Sequence, residues 1–201
     1  MDILIGLLFV GMGGFIIKNA EQRQRIALLA SHLQKFQLEK HMEYLTEGYL
    51  RALGESEAER RDQVWQLMEA TEKTVAQQLE QLALEVARLD EASTRVSRWP
   101  VAVPLASRLL PGTTFDLREA LAVHARGVSS VVKNTRGLSR RDKAFMLSAE
   151  LFLFQHTCHW YCRSRSVASA RLAVRHRTRY EQVLAAVSPT TRRGWEALLA
   201  S

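Results

Sequence analysis

Hydrophobic and polar positions divide this chain into one uncharged apolar run followed by a succession of amphipathic stretches. The run is Ile3 to Ile17, ILIGLLFVGMGGFII, with Asp2 and Lys18 on either side. As a helix it is about 22 Å long at ~1.5 Å per residue, against ~30 Å of hydrocarbon in a bilayer. Met1 and the long stem of Lys18 extend it toward the lower range for a span. Gly6, Gly11, Gly13 and Gly14 would weaken a helix in a soluble core but are tolerated in lipid, where Gly6 and Gly13 share a face for close packing against another membrane helix. A cleaved signal peptide fits less well, because no basic segment precedes the run and Lys18 to Arg23 offers no small-residue cleavage pair. The pattern predicts a transmembrane anchor over residues 1–20. Lys18, Arg23 and Arg25 follow the run and no Lys or Arg precedes it. The expectation is therefore an inner (cytoplasmic) membrane protein, single-pass, with its amino terminus out and its body in the cytoplasm.

Beyond the anchor, Ile26, Leu29, Leu33 and Phe36, then Leu38, Met42, Leu45 and Tyr49, recur at helical spacing, with a skip that rotates the stripe. This predicts a helix from the anchor to about Leu53, ended by Gly54. Ser56-Glu57-Ala58-Glu59 reads as a capping box opening a second helix, which runs to Arg98 and stops at Trp99-Pro100. Its stripe of Trp65, Met68, Val75, Leu79, Leu82, Val86, Leu89 and Val96 follows a heptad from Val75, with Glu72 and Ser93 as polar interruptions. Residues 21–98 are expected to form a long, coiled-coil-like antiparallel hairpin; the alternative is that the heptad seam joins two copies of the chain. Residues 99–113, with Pro100, Pro104, Pro111 and Gly112, read as a connector laid across the body, with a one-turn helix near Ala106.

Residues 114–201 carry further helix starts at Thr113/Asp116, Ser139/Asp142 and Ser188-Pro189. Leu147, Leu151, Phe154, Cys158 and Tyr161 mark a central core helix; Glu150, Gln155, His156 and His159 would be costly in lipid and argue against a second span. A basic helix is expected from Arg163 to Arg179, with an apolar finish at Val183, Leu184 and Val187. No useful strand alternation occurs. The expected fold is all-α: an N-terminal single transmembrane helix, a long antiparallel helical hairpin, and a compact basic bundle packed on it.

Charge sharpens this picture. Of the net +7, residues 1–117 contribute −3 (13 Lys+Arg against 16 Asp+Glu) and residues 118–201 contribute +10 (15 against 5). The carboxyl-terminal half is the part suited to phosphate-bearing surfaces. Hydrophobic content of 47% excludes wholesale disorder, and two cysteines make no disulfide framework.

Three constellations invite a chemical reading. Cys158 and Cys162 lie one helical turn apart with His159 between them, and thiolate with imidazole is a zinc donor set. His159 and His156, however, project about 100° and 160° away from Cys158 on a helix, so the ligands do not converge; the pattern predicts no metal and no cofactor, and Cys158 as a small core residue. Arg171, Arg175 and Arg179 step by four and share a helical sector, a candidate contact for anionic lipid, with nucleic acid weaker for want of interleaved aromatics. A solvated face partly paired with the acidic hairpin is the plainer reading. His124 is expected as a buried structural residue and Glu150 as a charge matched by an arginine across the bundle. No phosphate-binding loop, nucleophile elbow or paired-histidine motif is present, so no enzymatic activity is expected. The sequence thus predicts a membrane-anchored cytoplasmic helical scaffold, adaptor or accessory subunit acting through a protein partner or as a homo-oligomer. The alternatives are a tethered binder of lipid headgroups or nucleic acid through the arginine helix and, more remotely, a redox or metal protein at Cys158/Cys162.

Overall fold

A computed structural model describes residues 2–200; the side chains of Asp2, Ile3, Leu4 and Val10 fall outside the described residues. The chain is predominantly helical. Helix α1 (Asp2–Leu33) leads through a turn into α2 (Leu38–Gly54), which packs against α3 (Ala58–Val86). A short α4 (Glu91–Thr94) precedes β1 (Arg95–Ser97), and the connector holds α5 (Ala106–Leu109) and a 3-10 turn (Pro111–Thr113) before β2 (Thr114–Asp116). Then follow α6 (Leu117–Val132), α7 (Arg140–Cys162), α8 (Arg165–His176), α9 (Tyr180–Ala186) and α10 (Pro189–Ala200).

The helix expected to run from the anchor to about Leu53 is broken at the skip: α1 ends at Leu33, and α2 restarts the apolar face with Leu38, Met42, Leu45 and Tyr49 buried. Helices α2 and α3 form a hairpin shorter than the expected 21–98, and they approach so closely that a Cβ at Gly48 would lie 2.0 Å from Met68 Sδ. The heptad seam is buried within the chain, with Val75, Leu79, Leu82 and Val86 facing α2 and α6 rather than a second copy.

Three further boundaries differ from the sequence expectation. The capping box is not formed; α3 starts after Glu57, which makes no side-chain cap. That helix also stops at Val86 instead of Arg98. The segment that should have extended it becomes α4, capped by Asp90 accepting from the Ser93 N–H, and then β1, paired antiparallel with β2. Non-local partners decide this outcome: Trp160 Nε1–H donates to the Ser97 carbonyl at 2.9 Å and the Tyr161 hydroxyl to the Ser93 carbonyl at 2.9 Å. Finally, the basic helix is interrupted. Ser164 caps α8, and Arg177 in the left-handed region ends it.

The start signals at Ser139 and Ser188 hold, their side-chain oxygens accepting from the N–H of Asp142 (3.1 Å) and Thr191 (3.2 Å), whereas the start expected at Thr113 falls three residues later, where Asp116 accepts from the Arg118 N–H (2.8 Å). Helices α6 and α7 occupy the centre, around an aromatic cluster of Phe115, Trp160 and Trp195 in edge contacts at 5.1 to 6.1 Å.

Candidate functional site

The most unusual surface is the first half of α1. From Glu21 onward this helix is fastened to the body: Gln22 and Arg163 are bonded through the Gln22 Oε1 at 2.8 Å, Arg25 donates to the Tyr161 carbonyl at 3.4 Å, and Leu29 is buried. Before that point it projects as an apolar arm, with Ile5, Leu7, Leu8, Phe9, Met12, Phe15, Ile16 and Ile17 all exposed, Leu7 and Phe9 by 67% each. The two candidate packing glycines, Gly6 and Gly13, have no atom within 4 Å of a Cβ position. Lys18 lies over the Phe15 ring at 5.1 Å. Among the described residues, no helix is long and apolar enough to cross a membrane. The expected transmembrane span is therefore not supported; the uncharged stretch is shorter than the hydrocarbon layer it would have to cross. Ile3, Leu4 and Val10, which belong to that stretch, lie outside the described side chains.

The arginine constellation is divided. Arg171 and Arg175 share α8, but Arg179 lies beyond the left-handed Arg177 and caps α9, its N–H donating to Gln182 Oε1 at 2.9 Å. The expected three-arginine sector is thus reduced to two, because the chain reverses where the sequence pattern continued. Arg175 pairs with Glu39 of α2 at 2.7 Å, and Arg171 donates to His159 Nδ1 at 3.0 Å. These two arginines rim a groove of about 590 Å³ between α7 and α8, with Leu172 and Val174 on its apolar wall and His156 at its floor.

Cys158 is buried in the core, and burial pushes its thiol well above the usual range; burial likewise pushes Cys162 up to about 11. Such thiols stay protonated and unreactive at neutral pH. His159, the third candidate ligand, faces the groove and Arg171 instead, and no group of three or more His, Cys, Asp or Glu converges among the described residues.

A buried polar row along α7 was only partly legible. His124 lies wholly inside, its Nε2 2.8 Å from Thr157 Oγ1. The Thr157 hydroxyl already donates to the Leu153 carbonyl at 3.0 Å, so His124 must donate through Nε2–H, leaving Nδ1 unprotonated and without a partner among the described residues. Burial, with the neighbouring His156 second, holds its pKa down at about 3; burial does the same to His156, whose Nε2 meets Ser169 Oγ at 3.1 Å.

Glu150 differs from the expectation. Among the described residues no arginine meets it and its Oε2 has no partner; its Oε1 accepts from the Ser188 N–H at 2.9 Å and the Thr191 hydroxyl at 2.8 Å, and burial pushes the carboxyl up. Oε2 sits where α6 passes: a Cβ at Gly127 would lie 2.6 Å from it and 2.1 Å from Thr191 Oγ1. Gly127→Ala should cost about 1–3 kcal/mol despite the better helix propensity of alanine, because the displaced groups are hydrogen-bonded to each other. Urea unfolding measures this, and a variant as stable as the parent would show that the polar cluster yields freely.

No known protein family, curated protein or solved structure matches the chain. What defines it is the fold itself, a helical body carrying an exposed apolar arm.

Proposed function

We propose that this protein is a membrane-attached helical scaffold or adaptor: its apolar arm seats in lipid and its body acts by contact with a protein partner. The observation that carries the reading is the arm, an uncharged helix end with apolar residues exposed around its circumference and continuous with a helix fastened to the body. A helix apolar on all sides is stable where water is excluded on all sides. Lys18, Arg23 and Arg25 follow it, suited to the anionic headgroups of a cytoplasmic leaflet, which favours the inner membrane with the body in the cytoplasm.

Support for contact function comes from the hairpin. The Tyr49–Trp65 ring contact at 5.8 Å brings those levels of α2 and α3 together, and there Leu50, Leu53 and Leu67 are exposed. The arginine pair is less suited to headgroups. Arg175 is paired with Glu39, which follows the far end of α1, and Arg171 is bonded to His159.

The test is partition of the full chain. The parent should float with lipid vesicles and resist salt extraction, whereas Leu8→Arg with Ile16→Arg should remain soluble with unchanged helical circular dichroism. A parent that stays in solution removes the membrane half of the reading. A detergent-extracted parent that runs as a lone monomer, with no co-purifying chain, removes the scaffold half.

A further inference from the structure

The connector presents its apolar residues outward. Trp99, Val101, Val103, Leu109 and Leu110 are exposed in a segment, residues 99–113, that contains no acidic residue. Sequence pattern alone suggested that these side chains cover the body; instead only Ala106 of this stretch is buried.

The segment is nevertheless held rigidly. Leu105 adopts a left-handed conformation with φ of 56°, an arrangement that persists only where the surroundings enforce it. Here α1 enforces it: both Glu21 carboxylate oxygens accept the Leu105 N–H, at 3.2 and 3.3 Å, and Arg25 donates to Ser107 Oγ at 3.3 Å. Pro104 Cγ lies 3.9 Å from a Cβ position at Gly14. On the other side, the Ser166 N–H donates to the Pro100 carbonyl at 2.9 Å. The connector is therefore clamped to α1 between Gly14 and Arg25, at the level where the uncharged arm ends. Lys18, Trp99, Val101, Val103 and Arg163 line one small cleft there.

We propose that the connector is a second membrane-contact element, a shelf on which Val101, Val103, Leu109 and Leu110 enter the interfacial region of an anionic bilayer beside the arm, with Trp99 at headgroup depth. This rests on the lipid-seated arm. Lipid is the occupant because the shelf meets the arm where Pro104 touches Gly14, and its Trp99–Val103 edge shares a cleft with Lys18 and Arg163. That combination of apolar residues, an amphipathic indole and cations matches the boundary between headgroups and acyl chains. A helix inserted from Ile17 outward also brings residues clamped at Gly14 to Arg25 against the surface without further rearrangement.

Trp99 provides its own reporter. It is the exposed tryptophan among the described residues, whereas Trp65, Trp160 and Trp195 are buried. The full chain is mixed with vesicles of phosphatidylcholine and phosphatidylglycerol whose acyl chains carry bromine near the headgroup, and flotation and tryptophan emission are read together. The parent should float with a blue-shifted, partly quenched emission, and Trp99→Phe should float while losing the quenched component. Val101→Asp with Leu109→Asp should float through the arm while leaving Trp99 unquenched. A parent that floats with unquenched Trp99 overturns the shelf and leaves the arm standing. A parent that does not float overturns both.

Discussion

Replacing Glu72 by alanine is expected to destabilise the protein by about 3–5 kcal/mol, the cost of removing one partner from a buried ionic pair. Glu72 interrupts the heptad stripe of α3 yet is buried against α2 and α7. One carboxylate oxygen accepts from the Tyr49 hydroxyl at 2.7 Å and the other binds the Lys143 ammonium, itself mostly buried. Burial, then the Glu72 charge, drives the Tyr49 phenol far above its ordinary range, so this hydroxyl remains a donor at every accessible pH. Alanine strands a cation and a phenol in the core, each losing its compensation for leaving water. Urea unfolding should show the loss, and Glu72→Met combined with Lys143→Met should recover most of it, since a matched apolar pair removes both charges. A Glu72→Ala protein within ~0.5 kcal/mol of the parent, the range typical of surface changes, would show that the triad holds nothing together.

Acidification should have an effect of similar size. His124 and His156 are both held at about 3 by burial, against 6.5 in an unfolded chain. Below 6.5 the unfolded state takes up protons that the folded state refuses. The stability present above that pH is therefore lost as pH falls toward 3, at about 1.4 kcal/mol per unit for each histidine. Between pH 6.5 and 5 the pair should cost about 4 kcal/mol by the same arithmetic. Glu150 acts in the opposite sense. Its raised carboxyl binds a proton more tightly when folded, so its penalty is greatest at high pH and is relieved on acidification toward 4.5. Unfolding curves at pH 7.5, 6 and 5 should show the decline, flattened in His124→Gln or His156→Gln because each removes one contribution, while His159 and His176, also held down by burial, keep part of it. Glu150→Gln should make the decline steeper. A double histidine variant that loses stability as steeply as the parent would assign acid sensitivity elsewhere.

The helical character, a hairpin of two helices, a helical turn at Ala106 and the start signals at Ser139 and Ser188 could all be read from the chain. Each is set by residues within a few positions of one another: stripe spacing, a side-chain oxygen reaching an N–H on the next turn, proline where no N–H is needed. The candidate chemistry was less legible. Cys158 reads correctly as a core residue, but Glu150 finds Ser188 and Thr191 on elements distant in sequence, and no spacing could have indicated them. Arg179 leaves its sector because Arg177 turns left-handed, a step that the fourfold repeat of arginines conceals. Glu72 gave a signal, a carboxylate in an apolar stripe, whose meaning emerged only when Tyr49 and Lys143 were brought to it.

The apolar run from Ile3 to Ile17 was set by sequence alone, since an uncharged stretch needs no partner to be apolar. That its described apolar side chains stand exposed was a tertiary matter: the body meets α1 at Gly14 through Pro104 and, from Glu21 onward, through hydrogen bonds. Termination of α3 at Val86 was likewise tertiary, because Ser93 and Ser97 carbonyls bond to Tyr161 and Trp160 in preference to a longer helix. The connector follows the same rule. Its prolines keep the segment out of a long helix, while the clamp from Glu21 and Arg25 holds it with its leucines and valines exposed.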